Sequence, residues 1–230
     1  MSWPVVKIKT VCQQVRGVTY KKDKVSDAPK VGYVKLYRSN NISPEGGLNE
    51  YKLIYVHNSC VKEKQLLKTY DILITASTGS KSAIGKNAQL LNDIKVTFGA
   101  FCKTLRPKQN LVDPLYLGYF FKRPEFRAYI SNVVEGANIN NLKNEHIDEL
   151  DIPLPPLPVQ KQIAAVLEKA DTLRSQCQQM EKALNSLAQS VFLDMFGDPT
   201  QTKFSKLKLS ECLSKIESGW SPKCESFAAE

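Results

Sequence analysis

Residues 152–164 read Ile152-Pro153-Leu154-Pro155-Pro156-Leu157-Pro158-Val159-Gln160-Lys161-Gln162-Ile163-Ala164. Four prolines in six residues exclude a helix interior and a central strand, which predicts an extended, semi-rigid spacer. A domain boundary is expected there. Beyond the prolines comes the clearest periodicity in the chain. Ile163, Val166, Ala170, Leu173, Cys177, Met180, Leu184, Leu187 and Val191 follow one another at alternating steps of three and four. That is a heptad seam sustained over four repeats. No Gly or Pro falls between Gln160 and Phe196, while Gly197 and Pro199 make a strong stop. A helix over 160–196 would be about 55 Å long, more than the width of a small domain. These nine residues are therefore expected to pair with a second helix.

Working toward the N-terminus, the first ~110 residues predict strands and loops. Val31–Tyr37, Leu53–His57, Ile72–Thr75, Ile94–Phe98 and Phe101–Leu105 are short and rich in β-branched and aromatic residues. Asp113-Pro114 then predicts an N-cap and first turn, opening a short aromatic helix over Leu115–Lys122. Further short helices are expected over 124–131 and 143–150, with a loop over 135–141. Tyr116, Tyr119, Phe120 and Phe121 stand at helical spacing, which favours core over an exposed stacking platform. The fold class is α+β: a strand-rich domain over 1–152, then a spacer and long coiled-coil helix over 153–198.

The chain of 230 residues carries a formal net charge of +9, unevenly spread. Residues 1–150 hold 23 Lys/Arg against 13 Asp/Glu, whereas residues 151–199 hold 4 against 6. A basic domain beside a nearly neutral helix suggests a polyanionic partner, because phosphate neutralisation releases counterions. No run of 18 apolar residues is present, and Met1-Ser2-Trp3-Pro4-Val5 lacks a signal-peptide layout, so no membrane role and a cytoplasmic location are expected. The six cysteines are widely spaced without C-x-x-C, predicting free, mostly buried thiols and no metal site.

Residues 199–230 predict the incomplete start of a repeat. Trp3-Pro4-Val5-Val6-Lys7-Ile8 and Phe204-Ser205-Lys206-Leu207-Lys208-Leu209 share an aromatic residue, two intervening positions, an apolar residue, Lys and an apolar residue. Ile216-Glu217-Ser218-Gly219 echoes Val15-Arg16-Gly17 with a one-residue gap.

Together with Gly136-Ala137-Asn138-Ile139-Asn140-Asn141-Leu142 and Phe192-Leu193-Asp194-Met195-Phe196-Gly197-Asp198-Pro199, the proline-to-helix stretch resembles the specificity subunit of type I restriction–modification systems. The resemblance covers essentially the whole chain. It implies a target recognition domain that reads one half of a bipartite site in double-stranded DNA, and a ruler helix that spans the unread spacer. Methyltransferase subunits would dock around the helices, with restriction subunits joining them. S-adenosylmethionine would then belong to the methyltransferase partner, and this chain would hold no cofactor. One recognition domain and one helix suffice for half of that arrangement. A homodimer through the helices would restore two.

Motifs for chemistry within this chain are weak. Between Gly79 and Gly85 lie five residues where a phosphate loop needs four, and Asn87 replaces its Ser/Thr. Asp71 with Asp93-Ile94-Lys95 loosely fits a metal-dependent nuclease, an alternative reading. His57 and His146 have no metal-ligand spacing, and no Asn/Asp-Pro-Pro-aromatic methyltransferase tetrapeptide occurs. The chain is expected to be non-catalytic. A third reading is a coiled-coil assembly adaptor whose basic domain binds protein. For DNA contact, Lys21, Lys22, Lys24, Arg38, Lys81 and Lys86 suit phosphates, while Arg38, Asn40, Asn41 and Ser80 suit base edges.

Overall fold

The computed structural model describes residues 3–80, 82–134, 140–198 and 207–213. In chain order the elements are β1 Val5–Lys7, α1 Ile8–Val11, β2 Cys12–Arg16, β3 Val25–Ser26, β4 Tyr33–Tyr37, β5 Ile54–His57, β6 Ile72–Thr75, β7 Ser77–Thr78, β8 Asn87–Gln89, β9 Val96–Phe98 and β10 Cys102–Pro107. Then come α2 Pro114–Lys122, α3 Pro124–Val133, β11 Asn140–Asn141, α4 Asn144–Asp148, β12 Asp151–Pro153, α5 Leu157–Phe196 and α6 Leu209–Cys212. Contacts divide the chain into two compact units, 1–173 and 174–230.

Two four-stranded sheets organise the first unit. One has the order β2-β10-β6-β8, antiparallel throughout. The other has the order β3-β5-β4-β9, in which β4 and β9 run parallel. Successive side chains on a strand face opposite ways, so each strand of the first sheet feeds two cores. On β6, Ile72 and Ile74 pack with Phe121 of α2, Ile130 of α3 and Ile147 of α4. Leu73, between them, packs instead with Tyr37, Val96 and Phe98 of the second sheet. A third cluster, Val18, Val34, Leu36, Ile54 and Val56, lies on the other side of the second sheet.

The two sheets meet where β2 leaves the first one. Val18 bridges Gly99 in parallel, donating its N–H to the Phe98 carbonyl at 2.7 Å, while Ala100 N–H donates to the Val18 carbonyl at 2.9 Å. Gly17 makes this approach possible: a Cβ there would stand 2.1 Å from the Gly99 carbonyl oxygen.

The proline cluster is less of a spacer than its composition suggests. Asp151–Pro153 pairs antiparallel with β1 in a two-stranded sheet, where Pro153 costs no central ladder bond. Leu157 and Pro158 already belong to α5, because first-turn N–H groups have no partner within a helix and Pro forfeits none there. The first unit therefore runs past the prolines. Gln160 is 1% exposed: its Oε1 accepts from Asp113 N–H at 2.7 Å, and its Nε2 donates to the Pro155 carbonyl at 2.7 Å. Ala164 is buried one turn later. These two residues anchor the start of the helix, a role no periodicity announces.

The helix ends at Phe196 as expected, with Gly197 at φ +73° and its N–H donating to the Leu193 carbonyl. The thiols differ from expectation. Only Cys12 and Cys102 are buried, each pushed up to about 12 by burial, whereas Cys177 and Cys212 are exposed and Cys60 is half-buried. Cys224 lies outside the described residues. Phe120 and Phe121 are core, and the Tyr116 hydroxyl donates to the Pro153 carbonyl at 2.8 Å. Among the described residues no helix is long and apolar enough to cross a membrane.

Two of the short helices have similar local geometry. In the register that sets Ile8 opposite Leu209, α1 and α6 coincide, four residues each. The preceding lysines match in φ/ψ, −73°/143° at Lys7 and −71°/142° at Lys208. Residues 204–206 and 214–221 lie outside the described residues.

Candidate nucleic-acid interface

Strand direction decides which loops share a surface. The C-terminal ends of the parallel pair β4 and β9 lead into Arg38 and Gly99. Leu36 pairs with Ile54, so β5 begins at this same end, just after Tyr51 and Lys52. Cys102 pairs with Thr75 and Ile74 with Asn87, which adds the end of β6 and the starts of β8 and β10. Lys103 opposite Arg16 adds the end of β2. All these ends converge on the turn 99–101, where Ala76 N–H and Ser77 N–H both donate to the Phe101 carbonyl, at 2.8 and 3.0 Å.

This rim carries Arg38, Asn40, Tyr51, Lys52, Ser77, Ser80, Lys86, Phe101 and Lys103. From Ile72 to Val112 the single acidic residue is Asp93, while the segment 38–52 carries Glu45 and Glu50, the latter paired with Lys35. Further acidic residues gather around α4 and β12, where Glu149 and Asp151 are paired with Lys9 and Lys7. Cationic groups at the end of a sheet make a positive local field suited to phosphate.

Of the residues nominated from sequence, Arg38, Asn40, Ser80 and Lys86 fall on this rim. Arg38 donates one guanidinium arm to the Lys52 carbonyl at 2.6 Å, which fixes its direction. Ser80 Oγ lies 2.9 Å from Ser82 Oγ. The Arg127 guanidinium donates to the carbonyls of Ser82 and Ile84, pinning this loop onto α3. The Lys86 backbone bonds to Thr75 and Ala83, while its ammonium makes no hydrogen bond or ion pair among the described residues. Lys81 lies outside them.

Asn41 needs correction, and three lysines lie elsewhere. Asn41 is fully buried, so it offers nothing to a base edge. Its Oδ1 accepts from Arg38 N–H at 3.0 Å and its Nδ2 donates to the Tyr51 carbonyl at 2.8 Å, so it shapes the loop that presents Arg38. Lys21, Lys22 and Lys24 are exposed but lead into β3 beside Val56, the opposite end of β5 from Ile54. They do not share a surface with Arg38. Lys103, which sequence reasoning missed, is a brace: its ammonium donates to the Leu142 carbonyl and to Asn144 Oδ1, both at 2.6 Å. Burial holds its pKa below the usual lysine range. No local pattern distinguishes it from the other lysines.

The nuclease alternative loses its first carboxylate. Asp71 is 1% exposed, and both of its oxygens are taken. Arg106 Nε donates to Oδ1 at 2.9 Å; its terminal nitrogen and Lys68 N–H donate to Oδ2 at 2.7 and 2.8 Å. Asp93 is exposed. His57 packs edge-on to Tyr33 at 5.1 Å, with Nδ1 against Ser59 Oγ, which is a packing role.

The seam residues Val166, Leu173, Met180, Leu184, Leu187 and Val191 are 47–70% exposed in this single chain. Ala170 and Cys177 are exposed as well, while Ile163 is half-buried.

The chain is 34% identical over 235 residues to the EcoKI specificity subunit of Escherichia coli, covering 96% of this chain and 50% of that one. It is 38% identical over 187 residues to the StySPI specificity subunit of Salmonella potsdam, covering 81% and 39%. It thus spans half or less of these relatives' length. The crystal structure of the HsdS subunit from Thermoanaerobacter tengcongensis shares the fold at a TM-score of 0.60 and 15% identity, covering 85% of this chain and 45% of that one. A family model described as the type I restriction modification DNA specificity domain matches residues 1–186, both sheets and most of the long helix, and the chain belongs to that family.

Proposed function

We propose that this chain reads one half of a bipartite DNA site through the rim around the turn 99–101, and that α5 pairs with a second long helix to set the distance to the other half. Methyltransferase and restriction subunits dock around the paired helices and supply all the chemistry, S-adenosylmethionine included. The observation that carries this reading is the convergence of Arg38, Asn40, Ser80 and Lys86 on one rim in a DNA specificity domain. Lys21, Lys22 and Lys24, on the opposite end of the second sheet, serve phosphates farther along the duplex.

Selection from randomised duplexes, with the methyltransferase subunit added, tests the reading. A single enriched half-site is expected, with affinity falling steeply as salt rises. Lys86→Ala should weaken all sequences alike and flatten the log–log salt slope by about one. Binding without sequence preference would overturn the proposal in favour of a protein-binding adaptor.

Nine seam positions, six of them large apolar side chains open to water, support pairing between two copies of α5. Leu173→Asp with Leu184→Asp should convert a dimer into a monomer by sedimentation at micromolar concentration. An unchanged mass would exclude homodimerisation through this seam.

A further inference from the structure

Five phenylalanines stand among the described residues of the first unit, and four of them, Phe98, Phe120, Phe121 and Phe126, are at most 6% exposed. Phe101 is 66% exposed. The backbone of its turn is nevertheless tied down by hydrogen bonds. The Phe101 carbonyl accepts from Ala76 and Ser77, Ala100 N–H donates to the Val18 carbonyl, and Cys102 N–H donates to the Gly99 carbonyl. The turn is thereby stitched to Ala76 and the start of β7, to the segment after β2 and to its own strands. With the backbone held, only the two side-chain torsions of Phe101 are left to order when the ring meets a ligand, which keeps the entropy cost low.

Tyr51, at 61%, is the next most exposed aromatic side chain of this unit, and it lies on the same rim. Its carbonyl accepts from Asn40 and Asn41, and the Lys52 ammonium stands 5.2 Å from its ring centre. Arg38 connects the two aromatics: it reaches the Lys52 carbonyl on one side, while its Cγ lies 3.7 Å from the position of a Cβ on Gly99 on the other. Exposed rings interleaved with cations fit a partner with flat apolar faces and a polyanionic backbone, which is nucleic acid.

Resting on the half-site reading above, we propose that Phe101 is a wedge that inserts at one base step of the bound duplex, with Tyr51 flanking it and Arg38 and Lys86 holding the adjacent phosphates. Such insertion favours easily unstacked pyrimidine–purine steps, so Phe101 contributes to specificity without a hydrogen bond to any base.

The test uses the full chain with the methyltransferase subunit and the duplex selected by the wild type, carrying 2-aminopurine at successive positions. Wild-type binding should raise 2-aminopurine fluorescence at one step. Phe101→Ala should abolish that rise and lower affinity about tenfold while leaving the salt slope unchanged, because no charge is removed. Its urea midpoint should match the wild type, since the ring covers no core. Phe101→Trp should restore both fluorescence and affinity. Equal affinity and fluorescence in Phe101→Ala would overturn the wedge and leave the half-site reading standing, as would weakened capture of the methyltransferase with DNA affinity intact. A wild-type chain that selects no sequence would overturn the half-site reading itself.

Discussion

Asp71→Ala should lower the unfolding free energy by about 3–5 kcal/mol, the usual effect of removing one partner from a buried ion pair. The carboxylate has no exposed side-chain surface, whereas Arg106 is 19% exposed. Removing Asp71 leaves a guanidinium facing the void and orphans the Lys68 N–H. Arg106 also donates to the Leu66 carbonyl at 2.9 Å, so the pair ties the loop before β6 to β10. Urea denaturation provides the measurement, with a lower midpoint and an unchanged slope expected. Asp71→Leu combined with Arg106→Met should recover much of the loss, because two apolar groups leave no uncompensated charge. If Asp71 were a metal ligand for cleavage, its removal would leave stability unchanged; a midpoint equal to the wild type would therefore overturn the structural role.

The second large effect concerns Gly17. An alanine Cβ would stand 2.1 Å from the Gly99 carbonyl oxygen, 2.5 Å from its carbon and 2.8 Å from the Phe98 carbonyl oxygen. All three are backbone atoms, so no rotamer relieves the clash and the two sheets must separate. The loss should be about 3 kcal/mol, the upper end of what overpacking usually costs, with the Val18–Phe98 and Ala100–Val18 hydrogen bonds weakened as well. Gly79→Ala is the matched control: nothing lies within 4 Å of its added Cβ, so its stability should stay within about 0.5 kcal/mol of wild type. Thermal unfolding of the pair gives the comparison. Gly17→Ala should also blunt DNA selection, because the turn that presents Phe101 is hung on this joint. A Gly17→Ala protein as stable as Gly79→Ala would show that the sheets tolerate separation.

Local patterns carried much of this molecule. The expected strands 31–37, 53–57, 72–75, 94–98 and 101–105 all exist, within two residues at each end. β1, β2, β3, β7, β8, β11 and β12 went unread, β11 inside the expected loop 135–141. Each is at most five residues long, and Asn87–Gln89 and Asp151–Pro153 have neither β-branched runs nor alternation. Their pairing is supplied by neighbours, not by propensity. The site was legible only in kind. Exposed Arg, Lys and Asn in loops point to nucleic acid, but Asn41 and Asn40, adjacent and chemically identical, have opposite fates. One is consumed inside its own turn, the other stands at the surface.

A helix is made of contacts three and four residues apart, so the period of Ile163 to Val191 and the stop at Gly197 determined α5 by themselves. The basic excess of residues 1–150 likewise needed no coordinates. Which charges act together is a different matter, because strand order joins residues 60 or more positions apart. Only the tertiary structure decided that Arg38, Lys86 and Phe101 share a rim while Lys21, Lys22 and Lys24 do not. The parallel pairing of β4 with β9 and the close approach at Gly17 are long-range contacts, and no window of sequence contains both partners.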